Sequence, residues 1–228
     1  MKKKLLIPAL IMAMMVPTAV FADGNEATRA TSNVGVEFVA ETPTEPVKPV
    51  DPTDPTKPLE PGDGGEGTGN VGFLTIDYVP NISFGEQKLN RKVTTMNSTT
   101  QKPFVQVTDV RGTGQGWNLQ ASLGEFTNGT HTLPNAKLTL ENGAVKTGDS
   151  VDKNAPITSN KIELTSGKDS DYVDIMGAQA DHGMGTWITT WLAQDSKSND
   201  KVTLNLDTRD ARVGTYNATV TWNLIQTP

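Results

Sequence analysis

The sequence predicts an all-β protein, an antiparallel sandwich or barrel with long loops, together with a proline-rich excursion of polyproline II type. Three observations carry this prediction. Beyond Gly72 the apolar residues recur with period two rather than 3.6, in short runs. Clusters of Gly, Asn, Asp and Pro separate those runs, as turns between strands require. Ahead of them, prolines stand at every third position from Pro43 to Pro61, which matches the three-residue turn of polyproline II.

Taken in chain order, Lys2, Lys3 and Lys4 precede an apolar run from Leu5 to Val20. Val20 and Ala22 then flank a cleavage position after residue 22, and residues 1–22 are expected to be a signal peptide. Pro8 and Pro17 interrupt the run, and the polar stretch from Asp23 follows it, which disfavours a retained membrane span. Losing three lysines takes the formal charge from −6 to −9. That sign repels nucleic acid, teichoic acid and anionic lipid, so binding to a surface polymer has to rest on shape, stacking and hydrogen bonds. Equally, the charge does no more than keep an extracellular chain soluble.

In the segment 23–42, Val34, Val36, Phe38 and Ala40 share one parity and predict a short strand. A lone strand is unstable in water, so it is expected to pair with the domain that follows. Residues 43–72 form the linker or excursion: a stiff rod of roughly 3.1 Å per residue up to Pro61, then a flexible joint from Gly62 to Gly72. A plain spacer is the simpler reading of the rod, and a docking site for a proline-reading partner the alternative.

The β domain occupies 73–228. Its runs are Phe73 to Tyr78, Phe104 to Val107, Trp117 to Leu123, Lys137 to Leu140, Lys161 to Leu164, Lys201 to Leu206 and Tyr216 to Ile225. The chain contains no cysteine, so core burial alone must stabilise it, and thiol nucleophiles and thiolate metal sites are excluded.

One tripeptide occurs twice, as Trp117-Asn118-Leu119 and Trp222-Asn223-Leu224. On a strand the Trp and Leu of each copy share a face and the Asn points the other way. Around the first copy the parity set is Trp117, Leu119, Ala121 and Leu123 against Asn118, Gln120 and Ser122. Around the second, Tyr216, Ala218, Val220, Trp222 and Leu224 oppose Asn217, Thr219, Thr221 and Asn223. Faces so uniformly apolar suit a core, and direct ligand contact is the competing role.

Further along, Trp187, Thr189 and Trp191 share one face of another expected strand. Two exposed rings about 13 Å apart, at roughly 3.3 Å per residue, would suit a sugar chain, and a second core layer is the alternative.

Two Trp-x-Leu motifs, the second following Gly214-Thr215-Tyr216-Asn217-Ala218, resemble the WxL domain of Gram-positive surface proteins. So do the signal peptide, the acidic proline-rich stretch, Leu74 to Pro80 with Phe84-Gly85, and the region from Gly183 to Trp187. The likeness covers the mature chain, as for a small WxL protein. It implies non-covalent attachment to the peptidoglycan-containing surface, with Trp117, Leu119, Trp222 and Leu224 as the wall- or partner-binding motif. It also implies partners: other WxL proteins and a membrane-tethered WxL-interacting protein, in a multi-protein complex that extends to adhesion to host matrix.

Catalysis finds little footing. His131 and His182 are the only imidazoles, and His182 beside Asp181 lies in no nucleophile turn. Asp169, Asp171 and Asp174 could offer oxygens to calcium, but the loop lacks the glycine and terminal glutamate of an EF-hand, and a solvated loop is the better reading. No phosphate loop or dinucleotide fingerprint occurs. The expectation is a binding protein without cofactor, metal site or nucleic-acid partner.

Overall fold

The computed structural model describes residues 29–60, 66–148 and 154–227. The expected signal peptide, and the cleavage after residue 22, lie outside the described residues. Fourteen strands and no helix are found among them. In chain order they are β1 (Leu74–Tyr78), β2 (Val93–Ser98), β3 (Phe104–Asp109), β4 (Trp117–Leu123), β5 (Phe126–Thr127), β6 (Thr132–Leu133) and β7 (Lys137–Glu141). There follow β8 (Ala144–Thr147), β9 (Ile157–Thr158), β10 (Lys161–Thr165), β11 (Val173–Ala178), β12 (Gly185–Thr190), β13 (Asn199–Asp207) and β14 (Val220–Gln226).

Every ladder is antiparallel. The long strands divide into three four-stranded sheets: β1-β3-β12-β8, β10-β7-β13-β2 and β14-β4-β11-β9. One apolar cluster draws on all three. Val105, Val107 and Trp187 come from the first sheet, Leu138, Leu140, Ile162, Leu164 and Val202 from the second, and Trp117, Leu119, Ala121 and Met176 from the third. The expected runs thus became strands because each has one apolar parity to bury. β2, β5, β6, β8, β9 and β11 lie outside those runs and outside the strand expected at Trp187. The Thr-rich β2 pairs through its backbone with β13 and has little apolar alternation to betray it.

Two expectations need correction. Residues 34–40 form no strand, and Val34 and Phe38 are 96% and 89% exposed. With no ladder to join, an extended segment has nowhere to place its backbone bonds but water. Nor does the proline-rich stretch run straight. Val50 and Pro58 pair antiparallel, Asp51 N–H donates to Lys57 O at 2.9 Å and Leu59 N–H to Pro49 O at 2.9 Å, closing a hairpin over residues 49–59. The turn is held by aspartates. Asp51 Oδ1 accepts from Thr53 N–H and Oγ1 at 2.7 and 2.6 Å, and Asp54 Oδ1 accepts from Thr56 Oγ1 at 2.6 Å. Asp54 is lowered to about 2, first by its bond to Lys57 and then by that to Thr56.

This hairpin covers the outer face of the first sheet. Val50 and Leu59 pack on Tyr78, Phe104 and Ile188, and the rings of Tyr78 and Phe104 stack with centroids 4.1 Å apart. The buried Gln106 amide takes the place of a strand neighbour: Oε1 accepts from Val50 N–H at 2.9 Å, and Nε2 donates to Lys48 O at 3.2 Å and Asp77 Oδ2 at 3.1 Å. Lys146 Nζ donates to Pro52 O at 2.8 Å. Of the expected flexible joint, residues 62–65 lie outside the described residues, while Thr68 and Asn70 are bonded to the β1 carbonyls of Asp77 and Ile76.

Candidate functional site

The two Trp-x-Leu copies stand on neighbouring strands of the third sheet. β14 pairs with β4 so that Leu224 faces Leu119, Trp222 faces Ala121 and Gln226 faces Trp117. Trp117 and Leu119 are fully buried, because β4 is an inner strand. Trp222 and Leu224 pack on the same core but are half-buried, because β14 is the sheet edge. The indole of Trp117 donates to Gly183 O at 3.0 Å, which satisfies its single polar atom. Trp117 and Leu119 are therefore packing residues.

Trp187 and Trp191 are not the exposed aromatic pair that would stack on a sugar. Both are buried, and the Trp187 indole donates to Met184 O at 2.8 Å. Their shared parity is real, but it faces the core, where Thr189 between them is also buried. Trp191 fits because residue 143 is glycine: a Cβ there would lie 2.8 Å from the indole nitrogen. The other sequence candidates are dispersed. His182 Nδ1 lies 3.0 Å from Ala180 O and His131 Nδ1 lies 3.0 Å from Thr130 Oγ1. Asp171 pairs with Lys168 at 3.3 Å, Asp169 O accepts from Ser122, and Asp174 accepts from Asn118 and Gln120. Among the described residues no three His, Asp or Glu side chains converge as a metal site.

With Trp and Leu turned inward, the middle residues of both motifs project from the outer face of the third sheet. The ladders align them into two rows across the strands. One runs Ile225, Asn118, Gly177, Ile157, and the next runs Asn223, Gln120, Asp174. Asp174 Oδ1 accepts from Asn118 Nδ2 at 2.6 Å and from Gln120 Nε2 at 2.7 Å, which fixes both amides with their carbonyl oxygens free to accept. Gly177 leaves a gap in the first row, flanked by Asn118 and by Ile157, which is 69% exposed.

The other two sheets are finished differently. The first is covered by the hairpin. The second bears ion pairs, Lys137 to Glu163 at 2.7 Å and Lys161 to Glu141 at 3.3 Å, the ordinary dress of a solvated sheet. Lys137 holds the Glu163 carboxyl below its usual range. The third sheet presents carboxamides, one carboxylate and two exposed isoleucines. The signal for it lay in the parity set Asn118, Gln120, Ser122, which the aromatic residues overshadowed.

The profile of the WxL domain, described as surface cell wall-binding, matches residues 25–228. This chain belongs to the WxL family. No curated protein and no solved structure matches it significantly. In this WxL domain, then, the tryptophans and leucines of the motif build the inner side of a sheet whose outer side bears an amide-rich patch at Asn118, Gln120 and Asn223, with Ser122 beside it buried and bonded to Asp169 O. Such a face can donate and accept hydrogen bonds. It lies on the strands that the two motif copies pin to the core.

Proposed function

We propose that this WxL domain attaches non-covalently to the Gram-positive cell wall by laying the outer face of its third sheet on peptidoglycan. The observation that carries the reading is the two-row array of Asn118, Gln120, Asn223 and Asp174, uncovered and free of cations, beside an ion-paired sheet and a covered one. Glycan strands of acetamido sugars with peptide stems offer amide N–H groups, carbonyls, hydroxyls and methyl groups. Fixed carboxamides match the first three, and Ile157 and Ile225 match the methyl groups. The gap at Gly177 lets a chain approach the backbone. An acidic protein gains nothing from bulk attraction to an anionic wall, so a face that works by hydrogen bonds is the form of contact its charge permits.

The test is co-sedimentation of the chain from Asp23 onward with protein-free Gram-positive walls, comparing wild type with an Asn118→Ala/Asn223→Ala double variant. Wild type pellets, and the variant, still folded by near-UV circular dichroism, binds about tenfold more weakly, as the loss of two modest hydrogen-bonding groups predicts. Wild type that stays in solution sinks direct wall binding. A second reading holds the domain at the wall through protein subunits, including other WxL proteins or a membrane-tethered WxL-interacting protein. The exposed apolar residues Val34, Val36 and Phe38 favour it.

A further inference from the structure

We infer that residues 33–40 of one copy add as a strand to the open edge of β14 in a second copy, joining copies head to tail. The acceptor is defined by its hydrogen-bonding phase. Gly124 N–H donates to Thr219 O and Thr227 N–H to Gly116 O, so the odd-numbered residues of this stretch bond toward β4. In an antiparallel ladder the alternate residues then point the other way. The backbone N–H and C=O groups of Val220, Trp222, Leu224 and Gln226 therefore face outward, and no described residue bonds to them.

Other edges are protected. β1 is covered by Thr68 and Asn70, β8 has four residues and is tied to the hairpin through Lys146, β10 carries Lys161 and Glu163, β9 has two residues, and β2 shows Thr95 and Asn97 to solvent. β14 has seven residues without charge or proline, and behind its open edge Val220, Trp222 and Leu224 are half-buried. An open edge of that composition is a template for another strand.

The donor is on the same chain. Asn33-Val34-Gly35-Val36-Glu37-Phe38-Val39-Ala40 alternates as a strand does, yet its apolar side chains are exposed and it joins no ladder. Eight residues extend for about 26 Å at roughly 3.3 Å each, enough to run the length of β14. Placed there, Val34, Val36 and Phe38 continue the row of Val220, Trp222 and Leu224, and Glu37 lies on the solvent side with Asn223. The segment brings exposed apolar side chains in strand alternation and the edge brings unbonded backbone groups, so two copies of the chain supply complementary surfaces. Each copy gives one strand and accepts one, a heterologous contact that propagates rather than closes. The inference is independent of the wall-binding face.

Sedimentation velocity on the chain from Asp23 onward tests it. Wild type forms a concentration-dependent series of assemblies. A Val36→Asp/Phe38→Asp double variant, changed only at exposed positions, keeps its near-UV circular dichroism and sediments as a monomer. A synthetic peptide of residues 32–41 added to that variant slows hydrogen exchange at Val220, Trp222 and Leu224 by about tenfold or more, and a Val36→Pro peptide does not. Wild type that is monomeric throughout, assembly that survives the double substitution, or protection that falls on another edge would overturn the inference.

Discussion

The indole nitrogen of Trp117 lies 3.0 Å from the carbonyl oxygen of Gly183, so the first Trp-x-Leu motif is tied to the glycine-bearing loop that leads into β12. The contact joins the third sheet to the entry of the first. It depends on both partners: Gly183 has φ of 71°, and a Cβ there would overlap Ala178 Cβ and stand 2.7 Å from the Trp117 indole nitrogen.

Replacing Gly183 by alanine should therefore destabilise the fold by about 2 kcal/mol or more, through a left-handed backbone and an overfilled contact together. Urea unfolding measured by tryptophan fluorescence checks this. An unchanged midpoint would show that the loop yields freely.

Trp117→Ala empties a fully enclosed site and should cost about 3–5 kcal/mol. Trp222→Ala, on the half-buried edge strand, should cost roughly 1–2 kcal/mol. Paired denaturation curves would show the order. Equal losses would mean that both copies are equally enclosed.

Gln106→Ala removes the partner of Val50 N–H and Lys48 O and one partner of Asp77. Hairpin 49–59 should open, with a loss of about 1–3 kcal/mol for buried groups left unpaired. Hydrogen exchange at Val50 and Leu59 should accelerate, while exchange in β4 is much less affected.

Two aspartates should titrate in opposite senses. Burial pushes the Asp77 carboxyl up, against the bonds from Thr108, Thr75 and Gln106 that pull it down. Its protonated form is thus favoured by folding, so its contribution is complete below about 3.8 and is lost as pH rises through the raised value. Asp54, at about 2, contributes above 3.8 and loses that contribution as pH falls toward 2. Carboxyl NMR titrations should place the two midpoints on opposite sides of 3.8, and Asp77→Asn should gain on wild type as pH rises.

Much of the fold was legible because period two marks which residues share a face, and β4, β7, β10 and β13 each have one apolar parity. Period two does not say which face is inward. Around Trp187 both parities are buried, one against the core and one under the hairpin, so alternation alone left the aromatic pair open between a sugar-stacking surface and a second core layer, and the structure has it buried. The hairpin itself was hidden by its proline period. The contrary signal was the repeated Asp-Pro-Thr of residues 51–53 and 54–56, where aspartate side chains cap the turn and bend the chain back. The amide face was written in the sequence as the middle letters of the two motifs. It became visible only when the register set Asn223 beside Gln120 and Asp174.

Three sheets contribute to one apolar core, so each has a face turned to that core and a face turned away from it. A polymer lying along one of them leaves the others free for separate duties, one already occupied by the protein's own proline segment and one kept wet by paired charges. On the proposed reading, the sheet that would meet the wall is the one left with neither covering.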